Sequence, residues 1–186
     1  MHVSEKESLT VVHMERRKLL MVIGLIIGVF ILSNSSPSIA AESLVVAFGA
    51  SQTYGKGVTR DEAYPAQLEL LLRQKGYDVR VINSGVNGQT TGAMLQRLEG
   101  SVPPETSVVI LQPGGNDKRK GLGAERAENV AAIRKILAAR GVPVIMMENR
   151  VFRNYPRQAD GQHLTAAGYH SLAKSLVSKV SALLAK

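Results

Sequence analysis

Along most of the chain, short runs that are apolar at nearly every position alternate with longer stretches of helical period. Residues 44–48 (LVVAF), 79–83 (VRVIN), 107–112 (SVVILQ) and 142–147 (VPVIMM) read as strands. Between them, residues 64–74 place Leu68, Leu71 and Leu72 on one face of a helix that Gly76 ends. Residues 91–98 read as a short helix, 124–140 as a long one stopped by Gly141, and 165–184 as a closing helix that Thr165 caps. Strands apolar on both faces, interleaved with helices, predict an α/β fold: a parallel sheet with helices on both faces. In such sheets ligands sit beyond the carboxyl ends of the strands, so chemistry is sought in the loops that follow them.

The first 40 residues do not follow this pattern. Arg16, Arg17 and Lys18 precede 14 almost wholly apolar residues, 19–32, and then the small-residue stretch SNSSPSIAA at 33–41. Basic, apolar and small-residue regions in that order are those of a secretory signal peptide, and a membrane span needs roughly 20 apolar residues. The expectation is a leader with an N-terminal extension over 1–40, Met14 being an alternative start, and a single domain over 41–186. The protein is then exported, periplasmic or secreted; retention as an N-terminal membrane anchor is the alternative. Net charge is +8 and there is no cysteine, which excludes disulfides, thiolate metal sites and cysteine nucleophiles. The charge is scattered and aromatics are few, so no nucleic-acid partner is expected; the charge suits approach to an anionic envelope or membrane surface. Oligomeric state is not encoded in any recognisable pattern.

The loop after the first strand, GASQTYGKG (49–57), poses a choice between a phosphate cradle and a nucleophile. A phosphate-binding loop needs Gly, four residues, then Gly-Lys-Ser/Thr; here Ala50 stands for the first glycine and Gly57 for the hydroxyl residue. The nucleophile reading puts Ser51 just past the strand end. Its hydroxyl needs a base, and two histidines follow the leader. His170 falls in mid-helix and reads as a surface or packing residue. His163 lies in ADGQHLT, three residues after Asp160, where a carboxylate can hold one ring nitrogen and leave the other for a serine proton; the plainer alternative is a turn capped by Asp160. Gly88, in NSGVNGQT, can offer a backbone N–H, and Asn116, in QPGGND, a side-chain N–H. With the N–H of Ser51 these make three donors for an oxyanion, although Asn-Gly and Gly-Gly-Asn-Asp are also ordinary turn sequences.

Taken together, GAS at Ser51, VNG at Gly88, GGND at Asn116 and DGQH at Asp160 and His163 resemble the SGNH hydrolases, or GDSL esterase/lipase family. Order and spacing are similar to those of small secreted bacterial members of the thioesterase I/lysophospholipase and arylesterase kinds. The resemblance runs from Leu44 to about Leu184. It implies a flavodoxin-like three-layer sandwich, with Ser51 as nucleophile, His163 as base and Asp160 orienting it. It further implies an oxyanion hole of Ser51, Gly88 and Asn116, and neither metal nor cofactor. The implied substrate is a small-molecule or lipid carboxylic ester or thioester: a short-chain or aryl ester, a lysophospholipid or an acetylated sugar. A non-catalytic envelope-binding module on the same fold is the alternative.

The chain departs from that pattern at Ala50 and Gln89, where the family usually has aspartates, and at Leu164, where proline is frequent. Between the fourth strand and Asp160 it has only ENRVFRNYPRQA. So short a connection predicts an open, shallow site for short acyl groups, with Phe152, Tyr155, Arg150, Arg153 and Arg157 at its rim. Lys118, Arg119 and Lys120 read as a solvated loop at which an anionic substrate group could also dock.

Overall fold

The computed structural model describes residues 42–185; the leader and extension expected over 1–40 lie outside the described residues. Four strands, β1 (Ser43–Gly49), β2 (Val79–Gly85), β3 (Thr106–Gln112) and β4 (Val144–Met146), pair in parallel in the order β2-β1-β3-β4. The chain moves outward from β1 to β2, then crosses back to β3 and β4. The direction of winding therefore reverses between β1 and β3, and a crevice opens at their carboxyl ends. This is the expected α/β architecture.

Because successive side chains on a strand point to opposite faces, the uniformly apolar strands fill two separate cores. Val45, Ala47, Val79, Val81, Val108 and Ile110 pack against α2 (Tyr64–Gln74) and α7 (Ala166–Leu184) through Leu68, Leu72, Tyr169, Leu172 and Leu176. Leu44, Val46, Phe48, Val109 and Leu111 pack on the other face against α3 (Thr91–Gln96), α4 (Leu98–Ser101) and α6 (Arg126–Ala139), through Met94, Leu98, Ile133 and Leu137. Each fully buried Leu or Val contributes about 1.5–3 kcal/mol, so the two faces share the work of holding the sheet.

Two one-turn helices, α1 (Ser51–Tyr54) and α5 (Asn116–Arg119), start just beyond β1 and β3. Arg97 separates α3 from α4, where the sequence predicts one continuous helix. Strand β4 is shorter than its apolar run because Pro143 precedes it and donates no N–H. It is followed by a 3₁₀ helix, Asn149–Asn154. Thr165 caps α7 as expected, its Oγ accepting from the Gly168 N–H at 3.1 Å. Among the described residues no helix is long and apolar enough to cross a membrane.

Candidate active site

Ser51 is the first residue of α1, immediately past the end of β1. The strand end is stitched to β3 by the Ala50 N–H, which is shared between the Gln112 carbonyl (3.2 Å) and Gln112 Oε1 (3.0 Å). The same Oε1 accepts from Thr53 Oγ at 3.2 Å. On the other side α1 lies so close to the end of β2 that a Cβ on Gly85 would collide with the backbone of Thr53 and Tyr54. These contacts fix α1 between the ends of β2 and β3, and the Ser51 side chain faces the turn that carries His163.

His163 is buried, and its Nε2 lies 3.0 Å from Ser51 Oγ. Its Nδ1 lies 2.5 Å from Asp160 Oδ2. The other carboxylate oxygen, Oδ1, accepts the backbone N–H groups of Gln162 (2.8 Å) and His163 (2.9 Å), closing the turn around the acid that orients the ring. The hydrogen bond to His163, aided by these two N–H donors, holds the Asp160 carboxyl well below the usual carboxylate range. It is therefore the ionised form that meets the imidazole.

The turn is fixed from three sides. Gln52 Nε2 donates to the Gln162 carbonyl at 2.7 Å, while Gln52 Oε1 accepts from Tyr169 Oη of α7 at 3.0 Å. Arg157 donates to the Gly161 carbonyl at 3.0 Å, and Gln158 Nε2 to the carbonyls of Leu164 (2.7 Å) and Lys56 (2.8 Å). Leu164 is buried in the α2/α7 core and anchors the turn by burial. The neighbour of the candidate nucleophile thus reaches across to the loop of the candidate base. Nothing in the sequence beyond its place directly after the serine could have marked Gln52.

Asn116 opens α5 and is buried. Its Nδ2 donates to the Gln89 carbonyl at 2.8 Å, and its Oδ1 accepts from Arg119 Nη2 at 2.5 Å. Beside it, buried Asp117 accepts at Oδ1 from the N–H (2.9 Å) and Oγ (2.5 Å) of Thr91, tying α5 to the start of α3. Asp117 Oδ2 has no partner among the described residues. Gly88 is exposed in the loop before Gln89, with φ of 70°, the left-handed region that favours glycine. No acceptor among the described residues takes the N–H of Ser51 or of Gly88.

Ser51 and Asn116 open onto a groove of about 490 Å³ that also passes Gln112, Gly114, Asn149 and Gln162. Of the rim residues expected from the sequence, Phe152, Arg153 and Arg157 line it; Arg150 and Tyr155 do not. Tyr155 is turned onto the α2/α7 core and donates to Ser175 Oγ at 2.9 Å, because an aromatic ring beside an apolar layer is better buried there. Lys118 and Arg119 line the groove and Lys120 does not; Arg126, of α6, is an addition. His170 is half-buried and bonded to Gln67 of α2 at 2.8 Å, a packing residue as expected. No group of three or more metal-ligating side chains is found among the described residues.

Comparison with known proteins places this geometry. Residues 47–163 match the model of the GDSL-like lipase/acylhydrolase family. The chain is 30% identical over 118 residues to the esterase TesA of Pseudomonas aeruginosa, covering 62% of this chain and 58% of that protein. It is 32% identical over 126 residues to an arylesterase of Vibrio mimicus, covering 67% and 62% respectively. It thus spans about three fifths of the length of these curated relatives. Among solved structures it resembles AlinE4, an SGNH-hydrolase family esterase, at 31% identity, with a TM-score of 0.54 and coverage of 77% and 74%. A structure of TesA shares the fold at a TM-score of 0.64 and 23% identity, covering 76% of this chain and 99% of that one. With the family model spanning most of the domain and both loops of the Ser51–His163 pair inside the match, this chain belongs to the GDSL-like lipase/acylhydrolase family.

Proposed function

We propose that this protein is a serine esterase that hydrolyses carboxylic esters or thioesters through an acyl-enzyme. The observation that carries the reading is the continuous path Ser51 Oγ–His163 Nε2 (3.0 Å) and His163 Nδ1–Asp160 Oδ2 (2.5 Å). A serine hydroxyl within hydrogen-bond reach of a base that an ionised carboxylate orients is the arrangement that activates a hydroxyl for attack.

In the proposed cycle Ser51 Oγ attacks the substrate carbonyl while His163 Nε2 takes its proton. The oxyanion is met by the N–H groups of Ser51 and Gly88 and by the Asn116 amide, whose second N–H is not used by Gln89. Collapse expels the alcohol or thiol, which receives the proton from His163. Water then attacks the acyl-serine with His163 again as base, releasing the acid and restoring Ser51. Asp160 remains ionised throughout and stabilises the imidazolium formed in each half.

The groove favours short or polar acyl groups. Among the described residues Phe152 is the one large apolar side chain lining it, so a long alkyl chain would find a single bulky apolar contact there. An exported location is part of the same proposal and rests on the leader pattern over 1–40.

Hydrolysis of p-nitrophenyl esters across acyl lengths C2 to C12, comparing the protein with Ser51→Ala, tests the reading. Turnover confined to short chains and abolished in the variant is expected. A folded protein inert on every ester, or a fully active Ser51→Ala, refutes it.

A further inference from the structure

Among the described residues five cationic side chains line the groove that Ser51 faces, Lys118, Arg119, Arg126, Arg153 and Arg157, and no carboxylate lines it. The nearby carboxylates are bonded or buried, although Asp117 Oδ2 has no partner among the described residues. Glu148 holds Arg126 at 3.0 Å, Asp160 holds His163, and Asp117 is buried against Thr91. Three of the five cations are likewise committed to the frame. Arg119 fixes Asn116, Arg126 pairs with Glu148, and Arg157 bonds the Gly161 carbonyl.

Lys118 and Arg153 are different. Both are exposed, and neither has a hydrogen-bond or ion-pair partner among the described residues. They come from two different walls of the groove: Lys118 from α5, beyond β3, and Arg153 from the 3₁₀ helix, beyond β4. Their two uncompensated charges add to the field of the committed cations, and the summed positive potential of the groove draws an anion.

Building on the esterase reading, we infer that the groove takes esters bearing a carboxylate or phosphate near the scissile bond, with Lys118 and Arg153 as the side chains that hold that anion. The anionic group is bound, not transformed; the ester bond beside it is the one cleaved. This narrows the substrate class from esters in general to small anionic esters, and it accounts for a groove with one aromatic and five cations, a poor fit for a neutral acyl chain.

The test compares matched esters that differ in one charge. On the acyl side, mono-p-nitrophenyl adipate is set against p-nitrophenyl methyl adipate. On the leaving-group side, para-acetoxybenzoate is set against its methyl ester. Each rate is divided by the ester's own base-catalysed rate. The wild-type protein should favour the anionic member of at least one pair by about tenfold or more in kcat/KM, and the preference should shrink as ionic strength rises. In Lys118→Gln/Arg153→Gln, the ratio should fall towards one. Arg134→Gln, which removes one positive charge from exposed α6 away from the groove, should keep it.

Serine-dependent hydrolysis with no anionic preference in either pair, or with a preference the double variant retains, overturns the anion site and leaves the esterase reading standing. A folded protein that hydrolyses neither member of either pair overturns both. Both substituted side chains are exposed, so an unchanged melting temperature verifies that the double variant is folded.

Discussion

Arg119 Nη2 donates to Asn116 Oδ1 at 2.5 Å, and Asn116 Nδ2 donates onward to the Gln89 carbonyl at 2.8 Å. The two bonds fix which way the amide faces and leave one of its N–H groups unused. Removing an oxyanion donor typically costs about 10²–10³ in kcat, so on the role proposed for Asn116 the variant Asn116→Ala should lose that much. Arg119→Ala keeps the donor but frees the amide to turn, and a smaller loss of about tenfold is expected, in kcat more than in KM. Steady-state kinetics on p-nitrophenyl acetate separates the two; equal losses would show that Arg119 does more than orient Asn116.

Asp160→Asn preserves an oxygen for the two backbone N–H groups but turns an N–H towards His163 Nδ1. The imidazole is then driven into the tautomer that cannot accept the Ser51 proton. A fall of roughly 10³–10⁴ in kcat with the fold intact is expected. The same variant carries a signature in stability. The native carboxyl is held below its ordinary range, so the unfolded state binds more protons in acid and native stability rises with pH through the carboxyl range. The contribution is present above the unfolded pKa, near 4, and fades as pH falls towards the folded value. The melting temperature of the wild type should therefore drop more steeply on acidification than that of Asp160→Asn.

Arg97 is a half-buried cation surrounded by neutral acceptors. It donates to Gln89 Oε1 (2.6 Å), Ser84 Oγ (2.9 Å), Ser101 Oγ (3.0 Å) and the carbonyls of Ser84 (3.0 Å) and Gly49 (3.2 Å), and stacks 4.3 Å above the Phe48 ring. Gln89→Glu has nearly the same shape and converts the closest of these contacts into an ion pair. It should raise stability by about 1–2 kcal/mol, read from urea unfolding. Arg97→Lys keeps the charge but cannot reproduce the fan of donors, and should cost about 2–4 kcal/mol. An unstable Gln89→Glu would mean that the neutral amide is required in that pocket.

Gln112 supports the Ser51 loop in a chain that has Ala50 where an aspartate is usual. Its Oε1 serves both the Ala50 N–H and Thr53 Oγ, each buried. Gln112→Leu fills the same space without the acceptor. A loss of about 1–3 kcal/mol is expected, because buried donors are left with poorer partners. Activity should fall further than thermal stability at a temperature where the variant is folded. Full activity in Gln112→Leu would show that the loop is held by packing alone.

Much of this architecture was legible in the sequence because the strands announce two cores. Alternation of Leu44, Val46 and Phe48 with Val45 and Ala47 demands an apolar layer on each face, and only helices can supply both. That Ser51 meets Asp160 and His163 was legible because Ser51 follows a strand end and the other two share the loop before the closing helix, on the side of the sheet where loops converge. The one-turn helices at Ser51 and Asn116 were not, since four residues hold barely one period of a hydrophobic pattern. Nor was the break at Arg97, whose side chain is drawn to acceptors on the ends of β1 and β2, on the loop after β2 and at Ser101. Tyr155 was expected at the rim and lies on the core, because a ring in a short polar connection gives no sign of which side it will cover. Leu164 was legible as a departure but not as an anchor, since its burial depends on α7 packing beside it.

Ser51 and His163 are 112 residues apart in sequence, and the second of them stands at the threshold of the last helix. A polypeptide made from its amino end exposes the hydroxyl early and acquires the base late. In the proposed cycle the serine needs that base, so the pair is complete only once the turn before α7 has reached the end of β1. On the proposed mechanism, a chain that stops short of His163 holds Ser51 without its base and is expected to be inert. If the esterase reading holds, the return of hydrolysis on refolding should lag the return of sheet structure and follow the docking of the final helix.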